Sequence, residues 1–300
     1  MLGLGASLQI FIQLDRPQGP YYRGDVVHAA ITLQSVEAVR VRSISAGLLL
    51  LQAYEELYER EERDSDGYLQ RVTNATWRED QNWIRTEWLS GEGTIPAGLN
   101  HTYRFDWTIP QDAPPTYAGQ IARLSWLVRV RADVPMAKDV EMNAVVPVIV
   151  PPDGKPQAQQ LQQPAHNVSS DVSMRFWLPR IEFLEGETVT GRLIIEPRKN
   201  TKARAVRLHL ERQETVRVGD PQHGKALSEP VLQIAPPMQL QSGVPVALDF
   251  ALPVPHRWRP NHRTFKSSST NSIKAVIDVP WGSDYTCSQE IFLYNGPARS

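Results

Sequence analysis

The segment Arg23-Gly24-Asp25-Val26-Val27 opens a predicted β-strand, and the chain repeats it later as Glu185-Gly186-Glu187-Thr188-Val189. In each copy the glycine is followed by apolar residues at matching positions. These are Val27, Ile31 and Leu33 in the first copy and Val189, Leu193 and Ile195 in the second. Alternate residues of a strand face the same side of its sheet, so we expect these side chains to face a core. The repeat therefore predicts one strand arrangement built twice.

Two further segment pairs recur in the same order. Ala97-Gly98 and Ser242-Gly243 each precede an alternating strand that ends in proline, and Asp133-Val134-Pro135 matches Asp278-Val279-Pro280. The spacing is 162 residues from Gly24 to Gly186 and 145 residues from Gly98 to Gly243. A period of this length is too long for a solenoid or a propeller blade and indicates a duplicated sandwich domain.

The predicted boundary between the two copies lies in a stretch rich in proline and glutamine. Pro151-Pro152-Asp153-Gly154-Lys155-Pro156 and the Gln-rich residues after it are polar and contain few β-branched side chains. Such a composition is typical of a linker. We therefore predict an N-terminal domain over residues 1–150, a linker over 151–171 and a C-terminal domain over 172–300.

Composition limits the class of protein. The chain is 41% hydrophobic and contains no apolar run of the roughly 18 residues that a membrane span requires. Its N-terminus lacks the pattern of an export signal, and Cys287 is the only cysteine, so we expect a cytoplasmic protein. Lys+Arg against Asp+Glu gives 14 − 19 = −5 up to Pro152 and 18 − 14 = +4 after it. This balance argues against general nucleic-acid binding.

The segment from Ile109 to Gly119, which reads IPQDAPPTYAG, resembles one shared by arrestins and their relatives. The long predicted strand that follows ends at Asp133, as in that family. Tyr22–Val27 and Asp278–Gly282 resemble the strand-opening glycine motif and a C-domain counterpart. The resemblance implies an all-β fold of two tandem immunoglobulin-like antiparallel β-sandwich domains in an arrestin-like arrangement. It also implies a non-catalytic adaptor or scaffold that binds a protein partner.

The chain departs from the receptor-binding arrestins after its last predicted strand, near Tyr294. No long tail follows, so activation by tail release is not expected. The chain looks more similar to bacterial sporulation-control and other prokaryotic arrestin-like proteins. Pro114-Pro115-Thr116-Tyr117 matches a WW-domain ligand, but it falls inside the repeat, which favours a structural loop.

No motif of an enzyme or of a cofactor site is present, and we predict neither catalysis nor a cofactor. Asp64-Ser65-Asp66-Gly67 resembles the start of a calcium loop, but the later ligand positions are not acidic, so a turn is favoured. His256 and His262 are six residues apart and lack the glutamate of a helical zinc motif, so no metal site is predicted.

Two groups of basic residues are the candidate binding sites. Basic side chains on loops can hold phosphate on a lipid headgroup or on a phosphorylated segment, although solvated loops would have the same composition. The first group follows a predicted C-domain strand, and the second lies on a long loop before Ser267. The residues are Arg198, Lys199, Lys202 and Arg204 in the first group, and Arg257, Arg259, Arg263 and Lys266 in the second.

Trp83 supports an alternative function. It lies in a predicted strand, and an exposed tryptophan there could anchor a protein or a sugar, as in a β-sandwich lectin or surface-binding module. The expected partners are therefore a protein of unknown identity and an anionic membrane surface, with no nucleic acid. Sandwich domains also expose sheet edges, so oligomers could form by edge-strand pairing.

Overall fold

A computed structural model describes residues 8–17, 19–63, 65–66, 68–151, 166–168, 171–218 and 223–296. Within these ranges the regular structure is entirely β-strand, which confirms the predicted all-β class. None of the described residues forms a helix long and apolar enough to cross a membrane. The predicted linker lies mostly outside the described ranges, as do Asp64 and Gly67 of the candidate calcium loop, and the predicted domain boundaries stay predictions.

The strands of the first half begin with a short strand and include one very long hairpin. They are β1 (Leu8–Leu14), β2 (Tyr21–Tyr22), β3 (Val26–Ser35), β4 (Val39–Val41), β5 (Ser43–Arg63), β6 (Leu69–Ser90), β7 (Gly93–Ile95), β8 (Asn100–Thr108), β9 (Tyr117–Ala118), β10 (Ala122–Asp133), β11 (Val140–Val145) and β12 (Val148–Ile149).

The strands of the second half follow a similar sequence of lengths. They are β13 (His166–Val168), β14 (Val172–Trp177), β15 (Glu182–Leu184), β16 (Thr188–Pro197), β17 (Thr201–Ala203), β18 (Ala205–Val216), β19 (His223–Ala235), β20 (Met238–Leu240), β21 (Val246–Pro253), β22 (His262–Arg263), β23 (Ser267–Asp278) and β24 (Tyr285–Tyr294).

The chain divides into two compact units. The first contains Met1–Glu55, Thr76–Ala118 and Ala122–Ile149. The second contains Val150–Ser300 together with Glu56–Ala75 at the end of the long hairpin and the short segment Gly119–Ile121.

The first unit has a core between two sheets. One sheet has the strand order β1-β3-β8, and the other has the order β11-β10-β5-β6 with β9 paired to β10. The apolar positions predicted from the repeat face this core, since Val27, Ile31 and Leu33 are all buried. Trp107 of β8 and Trp126 of β10 are its largest buried side chains. Burying apolar area on the inner faces is the main stabilising contribution in such a sandwich.

The second unit repeats this arrangement. One sheet has the order β13-β14-β16-β21, and the other has the order β15-β24-β23-β18-β19 with β22 paired to β23. Val189, Leu193 and Ile195 of β16 are fully buried in its core, at the positions that the repeat predicts. The duplicated pattern of the sequence therefore corresponds to a duplicated pattern of burial.

Two pairs of glycine turns show the duplication in atomic detail. Gly24 and Gly186 both have φ of 78°, and each donates its N–H to a carbonyl just after the partner strand, that of Ile109 at 2.9 Å and that of Val254 at 3.1 Å. Gly98 and Gly243 have φ of 77° and 76°. Glycine is favoured at such angles because a Cβ would be strained there. The turns that set each strand register are thus the same in both units.

Candidate functional site

The pairing of β18 with β23 fixes where the basic residues lie. These strands pair antiparallel over twelve residues, from Ala205 opposite Asp278 to Val216 opposite Ser267. At about 3.3 Å per residue this ladder is about 36 Å long. Its two ends carry the two groups of basic residues that the sequence singled out.

The turn cluster, which we define as Arg198, Lys199, Lys202 and Arg204, lies at the Asp278 end. Arg204 donates its backbone N–H to the Asp278 carbonyl at 2.8 Å and its Nε to Asp278 Oδ1 at 2.7 Å. The loop cluster, which we define as Arg257, Arg259, Arg263 and Lys266, lies at the Ser267 end, where the Lys266 carbonyl accepts from the N–H of Arg217. The structure therefore separates the two clusters.

The second sheet gives the same placement. The Glu185 carboxylate, just before β16, accepts the backbone N–H of Arg257 at 3.1 Å. Arg198 follows directly after the last residue of β16. The clusters thus lie at opposite ends of β16 as well, and they do not form one surface.

Carboxylates neutralise only part of the turn cluster. Lys199 Nζ lies 2.6 Å from Asp171 Oδ1, and this hydrogen bond and the charge of Asp171 raise the pKa of Lys199. Arg204 is paired with Asp278 as described above. Within the described part of the chain, Arg198 and Lys202 make no ion pair, and both are exposed. The cluster therefore keeps uncompensated positive charge.

An exposed tryptophan lies at the same end of the β18–β23 ladder as the turn cluster. Trp281 lies three residues beyond Asp278, is 104% exposed relative to a reference residue and has φ of 63°. Bulky residues rarely adopt positive φ, because the Cβ is crowded against the backbone. The Val279 N–H donates to Asp284 Oδ1 at 3.1 Å and closes this turn. The Trp281 side chain does not pack against the core and is exposed to solvent.

The first unit contains a copy of this turn. Arg42 donates its N–H to the Asp133 carbonyl at 2.8 Å, and Met136 follows with φ of 59° and 103% exposure. The positive φ is therefore a property of the duplicated fold. What differs is the side chain at the tip, which is methionine in one unit and tryptophan in the other.

Buried polar side chains fasten the loop cluster to the second unit. Trp258 Nε1 donates to Asn271 Oδ1 at 2.7 Å, and Asn271, fully buried, donates to the Arg259 carbonyl at 3.2 Å and to Asn261 Oδ1 at 2.7 Å. Phe265, in contrast, is 84% exposed. The loop backbone is fixed, so the arginine side chains and Phe265 project from a defined base.

His262 is part of this fixed base. It is buried, and its Nε2 lies 3.1 Å from Ser267 Oγ. Burial, together with the charge of Arg217, lowers the pKa of His262 from 6.5 to about 3. The folded protein therefore holds this imidazole neutral.

A buried ion pair lies beneath the loop cluster. Arg212 Nη2 is 3.0 Å from Glu214 Oε1, and both side chains are almost completely buried. The two groups form an ion pair, but their orientation does not meet the geometry of a hydrogen bond. Glu214 Oε2 accepts the backbone N–H groups of Gln120 at 2.8 Å and Ile121 at 3.0 Å. The Arg212 guanidinium lies 5.4 Å from the centre of the Trp258 ring. This pair links the inner face of β18 to the base of the loop.

The other sequence-based candidates lie in the first half. Trp83 is on β6 and is 39% exposed. Tyr117 of the WW-ligand motif is 2% exposed, and the Pro114 carbonyl accepts from Trp126 Nε1 at 2.9 Å, so this motif is a packed loop in the folded unit. Across the described ranges no group of three His, Cys, Asp or Glu residues could hold a metal ion.

Sequence reasoning missed Trp281, Phe265 and the Arg212–Glu214 pair. Trp281 was visible only as a large residue after Pro280, and Phe265 only as an aromatic residue between basic ones. Arg212 and Glu214 stand two positions apart on a strand whose preceding alternate residues are apolar. That alternation was the one available signal that both charges point inward.

The strand order, the duplicated turns and the surface-borne charges define a class of tandem β-sandwich proteins. Residues 10–154 match the family model of the arrestin (or S-antigen) N-terminal domain. This match covers slightly less than half of the chain and supports the arrestin-like resemblance that the sequence motifs predicted. No curated protein matches it significantly. Arrestin family proteins are generally non-catalytic.

Replacing Glu214 by Gln is expected to lower the free energy of unfolding by about 3–5 kcal/mol, because the buried Arg212 charge loses its partner. The matched control is Asp249→Asn, which removes the exposed partner of Arg192. It should cost less than about 1 kcal/mol. Urea unfolding measures both, and equal losses in the two variants would contradict a structural role for the buried pair.

His262 is expected to make folding stability depend on pH. Its pKa in the folded protein is about 3, below the ordinary 6.5. Between these two pH values the imidazole is protonated in the unfolded chain and neutral in the folded chain. The contribution of His262 to the free energy of unfolding is therefore fully present above pH 6.5. It decreases between pH 6.5 and 3, by up to about 1.4 kcal/mol per pH unit. Urea unfolding at about pH 8 and about pH 5 should show a smaller pH effect in His262→Gln. The exposed His256→Gln variant should keep the wild-type pH effect, and an unchanged effect in His262→Gln would contradict the assignment.

Proposed function

We propose that this chain is a cytoplasmic, non-catalytic adaptor that contacts an anionic membrane surface through the turn cluster and Trp281, and a protein partner through the loop cluster. The observation that carries this proposal is the placement of the two clusters at opposite ends of the β18–β23 ladder. A molecule with two separated basic ends can hold two different ligands at once. The arrestin-like N-terminal domain that residues 10–154 match supports a role in binding instead of catalysis.

The chemistry of the first end suits a membrane surface. Tryptophan prefers the boundary between lipid headgroups and acyl chains, where its ring is buried and its N–H stays hydrated. Lys and Arg near an anionic leaflet each contribute about 1 kcal/mol of attraction. Trp281 is fully exposed, and Arg198 and Lys202 are exposed at the same end of the β18–β23 ladder. One apolar anchor with two or more cations is the combination that weak, reversible membrane contact requires.

The chemistry of the second end suits a protein. Arginine and aromatic residues are enriched at protein interfaces, and complementary charge steers association. Arg257 and Arg263 are exposed. Phe265, which lies between Arg263 and Lys266 in the sequence, projects into solvent. The buried Trp258–Asn271 contact keeps the loop in one conformation, which lowers the entropy cost of binding. An acidic partner surface would complement this end.

Vesicle co-sedimentation tests the membrane contact. The full chain is expected to sediment with phosphatidylserine-containing vesicles and not with neutral phosphatidylcholine vesicles. Arg198→Glu with Lys202→Glu should lower the partition coefficient at least about ten-fold, since two attractions become repulsions. Trp281→Ala should lower it without changing its salt dependence. Higher salt should weaken binding of the wild type.

The matched control is Arg257→Glu with Arg263→Glu. This variant makes the same charge change at the other end, and it should keep vesicle binding while lowering the yield of the protein partner in in-cell cross-linking. Vesicle binding that is lost in the loop variant and kept in the turn variant would contradict the proposal. A glycan-array signal that Trp83→Ala abolishes would favour the lectin-like alternative.

A further inference from the structure

The outer face of the β1-β3-β8 sheet in the first unit contains a depression of about 380 Å³. Its volume lies within the range of small-molecule sites. Its lining includes Gln13, Asp15, His28, Ala30, Arg104 and Asp106. In the strand register Gln13, Ala30 and Arg104 stand side by side across the three strands. The floor of the depression is therefore formed by the Ala30 methyl group, with the Gln13 amide on one side and the Arg104 guanidinium on the other.

Arg104 is the unusual member of this row. Within the described part of the chain its side chain makes no ion pair and no hydrogen bond, and it is exposed. Its neighbour Ala30 has no polar side-chain group that could pair with it. A guanidinium with its donors available and a shallow cavity beside it can bind a carboxylate in a bidentate geometry.

The second unit has an ion pair at the corresponding position. Both units start this ladder at matching residues, Val26 opposite Thr108 and Thr188 opposite Pro253. Four residues on, Ala30 opposite Arg104 corresponds to Arg192 opposite Asp249. Arg192 donates to both oxygens of Asp249, at 2.6 and 3.1 Å. The first unit has neither the large side chain at the position of Ala30 nor a carboxylate opposite it.

The carboxylates around the depression differ in availability. Asp15 is occupied: it accepts from the Tyr21 hydroxyl at 2.8 Å and from the His28 N–H at 3.1 Å, and it pairs with Arg16 at 3.2 Å. Asp106 contacts His28 Nδ1 through one oxygen at 2.7 Å, and its side chain is 70% exposed. Asp106 can therefore accept a hydrogen bond from a ligand, and it would repel a bare anion.

We propose that this depression binds a small hydroxylated carboxylate of the hexuronic acid type. The ligand carboxylate pairs with Arg104, a ligand hydroxyl donates to Asp106, and the Gln13 amide serves a second hydroxyl. The methyl group of Ala30 meets the apolar face of the sugar ring. The combination of one cation and one carboxylate selects for a ligand that carries both an anion and hydroxyl donors.

Isothermal titration of the full chain with sodium glucuronate tests the proposal. Saturable binding is expected, and Arg104→Gln should weaken it at least about ten-fold by removing the charged bidentate contact. The double variant Ala30→Arg with Arg104→Asp copies the Arg192–Asp249 pair into the first unit and should abolish binding. Arg192→Gln, at the same position of the second unit, is the control and should bind as the wild type does.

Three ligand comparisons separate this site from simpler ones. Glucose lacks the carboxylate and acetate lacks the hydroxyls, so both should bind at least about ten-fold more weakly than glucuronate. Phosphate binding as tight as glucuronate binding would overturn the proposal in favour of a plain anion site. So would the absence of saturable glucuronate binding, or an unchanged affinity in Arg104→Gln. NMR shifts of the Gln13 and Ala30 amides in the wild type locate the ligand independently of any variant, and shifts elsewhere would also overturn it.

Discussion

The twelve-residue ladder between β18 and β23 is the constraint on which the functional interpretation depends. The two strands run antiparallel, so residues that precede β18 and follow β23 meet at one end, whereas those that follow β18 and precede β23 meet at the other. The register leaves no freedom in this placement, because a shift of one residue would turn Leu208 and Ala275 out of the core. The basic residues are thus divided between two ends by the same contacts that stabilise the fold.

The duplication explains which features belong to the fold and which belong to one unit. The Arg42–Asp133 and Arg204–Asp278 contacts are equivalent, and so are the positive φ angles of the residues that follow them. A repeated feature of this kind reflects strand and turn geometry. The differences are more informative, since Trp281 replaces a methionine and Arg104 stands where the second unit has Asp249. The backbone at those positions is set by the fold, but the side chains differ between the units and can carry separate functions.

The sequence predicted the all-β class, because apolar residues such as Val27 and Val189 alternate and are in fact buried. The arrestin-like resemblance was also confirmed. The separation of the two basic clusters was not predictable, since it depends on pairing between strands more than fifty residues apart. The same holds for Arg104, whose lack of a partner follows from the short side chain across the ladder. Local patterns give strand faces, but they do not give which strand ends meet.

Hydrogen–deuterium exchange of the full chain, with and without phosphatidylserine vesicles, tests the central claim that the two ends have different roles. Vesicles are expected to slow exchange in residues 198–204 and 279–284, while residues 257–266 exchange as before. Slowed exchange in residues 257–266, or equal slowing at both ends, would contradict the division of roles. An exchange pattern that vesicles leave unchanged would contradict membrane contact altogether.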